Sequence, residues 1–396
     1  MEQVLTVACK LQVDTEQVDK LNATLLAFSD ACNYINQTID PKLTNNVRIQ
    51  SLIYEQIRDQ FGLSANLAIR AINRVAGNRK TAKKAGKPVK AFKPTSADYD
   101  ARIFSFREKD WTVSLNLVGG RERFKLSIGN YQRHLLNGKI PTSATLCKHQ
   151  DGNFYINIQV KSMPPDPQPT DKVIGVDLGR RDIAVTSDGA TFSGEEVTAV
   201  RDRFAKLRQT LQKKASKGTR SSRRRIRKLL QRLSGRERRF QQWVNHNVSK
   251  KIVCKALSVN ATISVEDLTG IRERTNQQPR NKTERRRSNS WAFWQLRTFL
   301  EYKSIRAGIE LVKVNPAYTS QTCHVCLHIH PVQGKSYRSG KHFRCEHCSW
   351  HGDADLNGAL NIASLGTVLV NQPGGSGLSC SLNKHLRATE SPRSIA

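Results

Sequence analysis

The chain has 396 residues, 38% of them apolar, and sets 65 Lys and Arg against 33 Asp and Glu for a formal charge of +32. Its length suits two or three domains with cores of their own, and its apolar content excludes a disordered polyelectrolyte. The charge points to a polyanionic partner, for which nucleic acid is a better candidate than a membrane surface or a heparin-like polymer.

The opening stretch MEQVLTVACKLQVDTEQ has no basic region followed by a long apolar run, so no secretory signal is expected. The longest uncharged stretch, 356–383, is broken by Pro373 and several Gly, Ser and Asn, and is not expected to span a bilayer. Nine cysteines, four of them in CxxC pairs, suit a reducing compartment and a metal site better than a disulfide framework. Cys9, Cys32, Cys147, Cys254 and Cys380 are scattered and are read as inert.

Residues 3–13 alternate like a strand. From Thr15, the apolar positions Val18, Leu21, Leu25, Phe28, Cys32 and Ile35 recur every three or four residues, the period of an amphipathic helix. Shorter helical patterns follow around 47–60 and 64–77. The stretch NRKTAKKAGKPVKAFKP then carries seven basic residues and no acid. Its Lys83, Lys84 and Lys87 are expected to contact phosphates rather than merely to face solvent.

Between 97 and 160, DARIFSF, WTVSLNLV, RFKLSI and FYINIQV are short strand-like runs separated by turn residues. They predict a small β-barrel that takes in the N-terminal strand, with the helices as an insertion at about 15–95. SMPPDPQPTD reads as a linker and a domain boundary. The stretch 368–396 is Gly/Ser-rich and is expected to be a disordered tail.

After the linker comes VIGVDLG. In a strand, Val173, Gly175 and Asp177 share one face and Ile174, Val176 and Leu178 the other. An Asp there is costly unless its charge is compensated, which favours a metal ligand over a plain structural Asp. ISVEDLTG repeats the pattern: Glu266 follows Ser264 on the face opposite Ile263 and Val265. In GDADLNGALNIA, Leu356, Leu360 and Ala363 outline an apolar helical face behind two acids. Asp353 is placed to cap the helix, which leaves Asp355 as the ligand. Three acids from two strands and a helix start can hold two Mg²⁺ ions for phosphodiester hydrolysis, in the order of an RNase H-like nuclease.

Cys323, Cys326, Cys345 and Cys348 form two CxxC pairs at zinc-ribbon spacing, the ligand set of a closed, structural tetrahedral site.

The segments VIGVDLG, ISVEDLTG, QLRTFLEYKSIRAGIELVKVNPAYTSQTCHVC, FRCEHC and DADLNGALNI resemble the RuvC nuclease domain of the TnpB family, RNA-guided nucleases of bacterial insertion sequences related to type V CRISPR effectors. The resemblance is sharp over 172–364 and rests only on element order before that. It implies an α+β multidomain chain: a wedge barrel of OB-like type with a helical recognition insertion over 1–165, then an RNase H-like RuvC nuclease domain over 172–364 with a zinc ribbon inserted at 318–351. It places the catalytic, magnesium-binding acids at Asp177, Glu266 and Asp355 and the zinc ligands at the four cysteines. The implied cofactors are Mg²⁺ (or Mn²⁺), structural Zn²⁺ and a guide RNA. The implied partners are that RNA and a target DNA cut beside a short transposon-associated motif, with no membrane, in a monomer of the bacterial cytoplasm that joins the nucleoid when bound to DNA. The family commonly has Gly after each CxxC, where this chain has Leu327 and Ser349.

Residues 201–240 hold 17 Lys and Arg against Asp202 and Glu237. Apolar spacings on either side of ASKGTRSS predict a helical hairpin that packs on the nuclease sheet and turns Arg220, Arg223, Arg224, Arg225, Arg227 and Lys228 toward a duplex. IRERTNQQPRNKTERRRSNS, after Glu266, reads as a candidate lid. Three rivals share parts of this pattern. A miniature type V effector would differ in its genomic neighbours, a nuclease-dead repressor should have lost an acid, and a DDE-type transposase does not predict the cysteine module.

Overall fold

The computed structural model describes residues 3–270, 281, 285 and 292–371. The chain divides into two compact units at Met163/Pro164.

In the first unit, strand β1 (Gln3–Gln12) is followed by helices α1 (Thr15–Thr38), α2 (Asn46–Phe61) and α3 (Ala65–Ala85). The starts of α1 and α2 have a local cause. Asp14 accepts the Gln17 N–H at 2.8 Å in a capping box, and Asn45 accepts the Val47 N–H at 2.9 Å. Six more strands follow: β2 (Ser96–Asp100), β3 (Phe104–Arg107), β4 (Thr112–Leu117), β5 (Gly120–Ser127), β6 (Ser143–Lys148) and β7 (Phe154–Ser162). Helix α4 (Asn130–Leu136) lies between β5 and β6. The strands form one antiparallel sheet in the order β2-β6-β7-β1-β5-β4-β3. Its two edges, β2 and β3, are consecutive in the chain, which curls the sheet into a nearly closed barrel. Alternate residues such as Val113, Leu115 and Leu117 point inward and share a single core with Leu21, Leu25 and Phe28 of α1.

The sequence reading missed β2, β6 and α4. It also ended the third helix at 77, whereas α3 continues to Ala85, stopping where Gly86 takes a left-handed φ of 61°. Lys83 and Lys84 therefore stand on the last helical turn, with Lys87 just beyond it, all three exposed. Arg79, counted with that basic stretch, is only 3% exposed and donates to the carbonyls of Ile39, Asp40 and Leu43 at 2.8–3.0 Å. It satisfies the free carbonyls beyond α1, a structural task.

In the second unit, β8 (Val173–Asp177), β9 (Asp182–Thr186) and β10 (Thr191–Ser193) form an antiparallel meander. β11 (Thr262–Glu266) and β12 (Leu311–Val314) then add in parallel, for a sheet order β10-β9-β8-β11-β12. Three helices, α5 (Glu195–Lys217), α6 (Arg220–Leu233) and α7 (Arg236–Ser258), separate β10 from β11, and α8 (Phe293–Ala307) precedes β12. Ile174, Val176, Ile263 and Val265 pack on Val248 and Ile252 of α7 and on Leu296 and Leu300 of α8. A small three-stranded sheet, β13 (Arg338–Ser339), β14 (His342–Arg344) and β15 (His351–Asp353), leads into α9 (Ala354–Val370). α9 runs to Val370, past the expected start of the tail at 368; the rest of that stretch, and nearly all of the expected lid, lie outside the described residues. No helix of the structure is long and apolar enough to cross a membrane, among the described residues.

α6 corrects the expected hairpin. No residue of it is buried, and Leu229 is 41% exposed, so its apolar side does not enter the sheet's core. Arg220, Arg223, Arg224, Arg225, Arg227 and Lys228 are all exposed along it.

Candidate functional site

β8 and β11 are parallel neighbours with Val176 opposite Val265, so Asp177 and Glu266 stand next to one another at the C-terminal ends of their strands. Their faces look toward α9. Ser264, on the Glu266 face, donates to the Ile362 carbonyl at 2.9 Å. Gly175, on the Asp177 face, is so close to the helix that a Cβ there would stand 2.1 Å from the Ala359 carbonyl oxygen and 2.4 Å from the Ala363 nitrogen. A Cβ on Gly366 would likewise fall 2.5 Å from the Ser264 Cβ. α9 thus lies on the strands through small residues.

This seam differs from the face read in the sequence. Leu356, Leu360 and Ala363 are only half-buried, while Ala354, Asp355, Gly358, Ala359, Ile362 and Gly366 are buried. Asp353 caps α9, accepting the N–H groups of Asp355 and Leu356 at 2.8 and 2.9 Å. Asp355, in the first turn and 8% exposed, faces the strand ends. The three acids come to one place.

Their charges feel one another. Burial first, then the neighbouring Glu266 and Asp355, push the Asp177 carboxyl up to about 7, against the pull of Arg338. Burial also raises Glu266, opposed by a hydrogen bond from the Thr319 hydroxyl and by Arg338. Arg338 donates to Asp355 Oδ1 at 2.6 Å. Lys341, three residues after Arg338, reaches Asp182 Oδ2 and lies 3.9 Å from Asp355 Oδ2. Sequence reading singled out none of Arg338, Lys341, Asp182 and Thr319: a basic residue in a basic chain carries no pattern, and a lone Asp or Thr carries none either.

The four cysteines do close on one another. Their sulfurs all lie within 4.8 Å, with Cys323–Cys348 at 3.6 Å and Cys326–Cys345 at 3.7 Å. Tetrahedral ligands with Zn–S bonds near 2.3 Å would stand about 3.8 Å apart, so the set fits zinc. Among the described residues, this is the one cluster of His, Cys, Asp or Glu tight enough to share a single ion. The three acids do not close that far, with Arg338 lodged against Asp355. Their all-oxygen donor set nevertheless suits hard cations, and two ions need a wider cradle than one. Leu327 and Ser349, the residues following each CxxC, take left-handed φ values of 59° and 62°. These are the two places where the family pattern has Gly.

The module is tied to α9 by asparagines that the sequence reading also passed over. Asn357, fully buried, accepts the His324 N–H at 3.0 Å and donates to the Thr322 carbonyl at 2.7 Å. Asn361 donates to the Thr319 and Thr322 carbonyls at 2.9 and 2.7 Å.

A family model described as "probable transposase", of the IS605 OrfB type, matches residues 155–272, and one described as "Cas12f1-like, TNB domain" matches 293–362. The TnpB-like protein of Methanocaldococcus jannaschii is 29% identical over 50% of this chain and 70% of its own length. Over its second half the chain is similar to TnpB proteins. The Cas12f1 endodeoxyribonuclease of Sulfoacidibacillus thermotolerans is 30% identical over 58% of this TnpB-like chain, and Escherichia coli InsQ, a candidate RNA-guided DNA endonuclease, 31% over 55%. The chain spans just over half the length of these two relatives (54% and 55%). Among solved structures, Cas12f1 in complex with sgRNA and target DNA aligns with a TM-score of 0.58 at 16% identity, covering 88% of this TnpB-like chain and 80% of that chain. That likeness is one of fold.

Proposed function

We propose that this TnpB-like chain is an RNA-guided, divalent-metal-dependent DNA endonuclease that cuts DNA complementary to its guide beside a short transposon-associated motif. The observation that carries the proposal is the meeting of Asp177, Glu266 and Asp355, from three segments far apart in the chain, beside a module built on four cysteines. The sheet order, three antiparallel strands then two parallel ones, supports an RNase H-like core of the RuvC kind over 172–364. The barrel and helices of 1–165 would form the wedge and recognition lobe, and 318–351 the zinc insertion.

Asp177, Glu266 and Asp355 would hold Mg²⁺ (or Mn²⁺). Bound there, the ions supply a nucleophilic water at neutral pH and compensate charge on the leaving oxygen of a phosphodiester. Thr319 fixes the Glu266 carboxylate, and Asp353 anchors the turn that presents Asp355. Arg338, already within reach of Asp355, would offer its remaining N–H groups to a phosphate oxygen. The exposed cations of α3 and α6 would hold nucleic-acid backbone, leaving sequence to base pairing with the guide. All three acids are present, which counts against a nuclease-dead repressor.

The test is to sequence the RNA that co-purifies with the protein, rewrite its guide segment, and assay a matched plasmid carrying a randomised flank. Cleavage should follow the new guide and enrich one short flank. Cleavage that stays at the old site, or survives RNase treatment before assembly, removes RNA guidance. A CRISPR array at the locus would instead mark a miniature type V effector.

A further inference from the structure

Asp182 is a buried carboxylate with no part in the mechanism above. It opens β9 just after the turn that follows Asp177, and is 7% exposed. Its partner Lys341 sits in the β13–β14 turn, on the cysteine module. The turn is fixed at its backbone: the Lys341 carbonyl accepts the Ala354 N–H at 2.8 Å, and Arg338 Nε donates to the Gly340 carbonyl at 3.2 Å. One ammonium therefore stands between two carboxylates, in contact with Asp182 and 3.9 Å from Asp355, which already has Arg338 at 2.6 Å.

We infer that Asp182 is a positioning residue that holds the Lys341 ammonium away from Asp355, keeping that carboxylate available to a divalent cation. The inference rests on the reading of Asp355 as a metal ligand. Asp182 is nearly out of water and cannot keep its charge without a partner, so it secures the ammonium. Removing its charge while keeping its shape leaves Lys341 with Asp355 as the nearest acid. A second cation there, beside Arg338, competes directly with an incoming metal ion. A plain structural latch predicts something different: losing either partner would loosen the same turn, and the two variants would behave alike.

The experiment uses the zinc-loaded full chain and reads Mn²⁺ binding by the loss of the free-ion electron paramagnetic resonance signal, with no nucleic acid present. Asp182→Asn should weaken Mn²⁺ binding about tenfold, the effect of one nearby charge after screening by water and salt. Lys341→Ala should not weaken it, although it leaves Asp182 unpaired and should melt at a lower temperature. The double variant should return to within about twofold of the parent chain, because both charges are gone. Equal weakening by Lys341→Ala, a double variant as weak as Asp182→Asn, or an unchanged Asp182→Asn would each overturn the inference. Asp177→Asn serves as the reference for the site: if it binds Mn²⁺ as well as the parent, the ligand reading itself has failed.

Discussion

Asn357 takes the backbone N–H of His324 onto its side-chain oxygen at 3.0 Å, joining the residue beside Cys323 to the helix turn that carries Asp355. The cysteine module and the last acid are thus mechanically one piece. Asn357→Ala leaves the His324 N–H without its partner and takes one of two donors from the Thr322 carbonyl, which keeps Asn361; a lost partner of this kind typically costs about 1–3 kcal/mol. The variant should melt at a lower temperature and release zinc more readily to a chelator. A melting curve and chelator-release kinetics check both. Unchanged zinc release would separate the module from the helix.

The two aspartates of the DAD step should divide sharply in effect. Asp355→Ala and Asp177→Ala are expected to abolish cleavage while RNA and DNA binding persist, since the positioning charge lies elsewhere. Asp353→Ala removes a cap and should cost about 1 kcal/mol of stability with cleavage retained. Side-by-side cleavage and filter-binding assays decide it; the reverse ranking would move the third ligand to Asp353.

The raised Asp177 pKa gives stability a pH slope. Its carboxyl titrates near 7 in the folded chain but near 4 when unfolded, so the folded state binds the proton more tightly. The resulting stability is full below about pH 4 and is lost as pH rises through 7. Without divalent ions, denaturant midpoints should therefore fall between pH 5 and 7.5, and Asp177→Asn should flatten this part of the profile. Divalent ions compete with that proton, so their affinity should rise over the same window.

Leu327 and Ser349 hold left-handed backbone at positions where a side chain costs roughly 1 kcal/mol. Leu327 is 68% exposed, so glycine there forfeits little packing. Leu327→Gly and Ser349→Gly should each stabilise the zinc-loaded module by about 1 kcal/mol, read as a higher chelator concentration for half-release of zinc. Elemental analysis should find one zinc per chain in the parent and none in Cys345→Ser.

Arg223, Arg224 and Arg225 are exposed on α6, a helix that buries no residue. Replacing all three with Gln should lower affinity for nucleic acid and flatten its salt dependence, each lost phosphate contact removing about 0.9 from the log–log slope on duplex DNA. Target choice should not change. Affinity measured from 50 to 300 mM salt, with matched and mismatched targets, tests both halves.

The acids were legible because each breaks a rule: a carboxylate ending an apolar strand, or following another acid that already fills the cap. The cysteines were legible by spacing alone. Arg338, Lys341 and Asp182 were not, because their significance lies in a fold-back that brings the cysteine module over the strand ends. Periodicity also chose the wrong face of α9. It weights large apolar residues such as Leu356 and Leu360, whereas a helix laid directly on strands selects Gly and Ala, which hydropathy undervalues. β6 escaped because SATLCK is short and half polar, and gains its buried Ala144 and Leu146 only through pairing with β7.

Gly175 gives the seam between α9 and the sheet a further meaning. Where backbone rests on backbone, the separation of two elements is set by peptide dimensions and not by which rotamer a side chain adopts. The distance from Asp177 to the first turn of α9 is then insulated from most substitutions in the surrounding core, and remote changes should alter stability without detuning the three carboxylates. The same arrangement leaves no slack at the seam itself. A single methyl group at Gly175 would have to move the helix, and Asp355 would move with it.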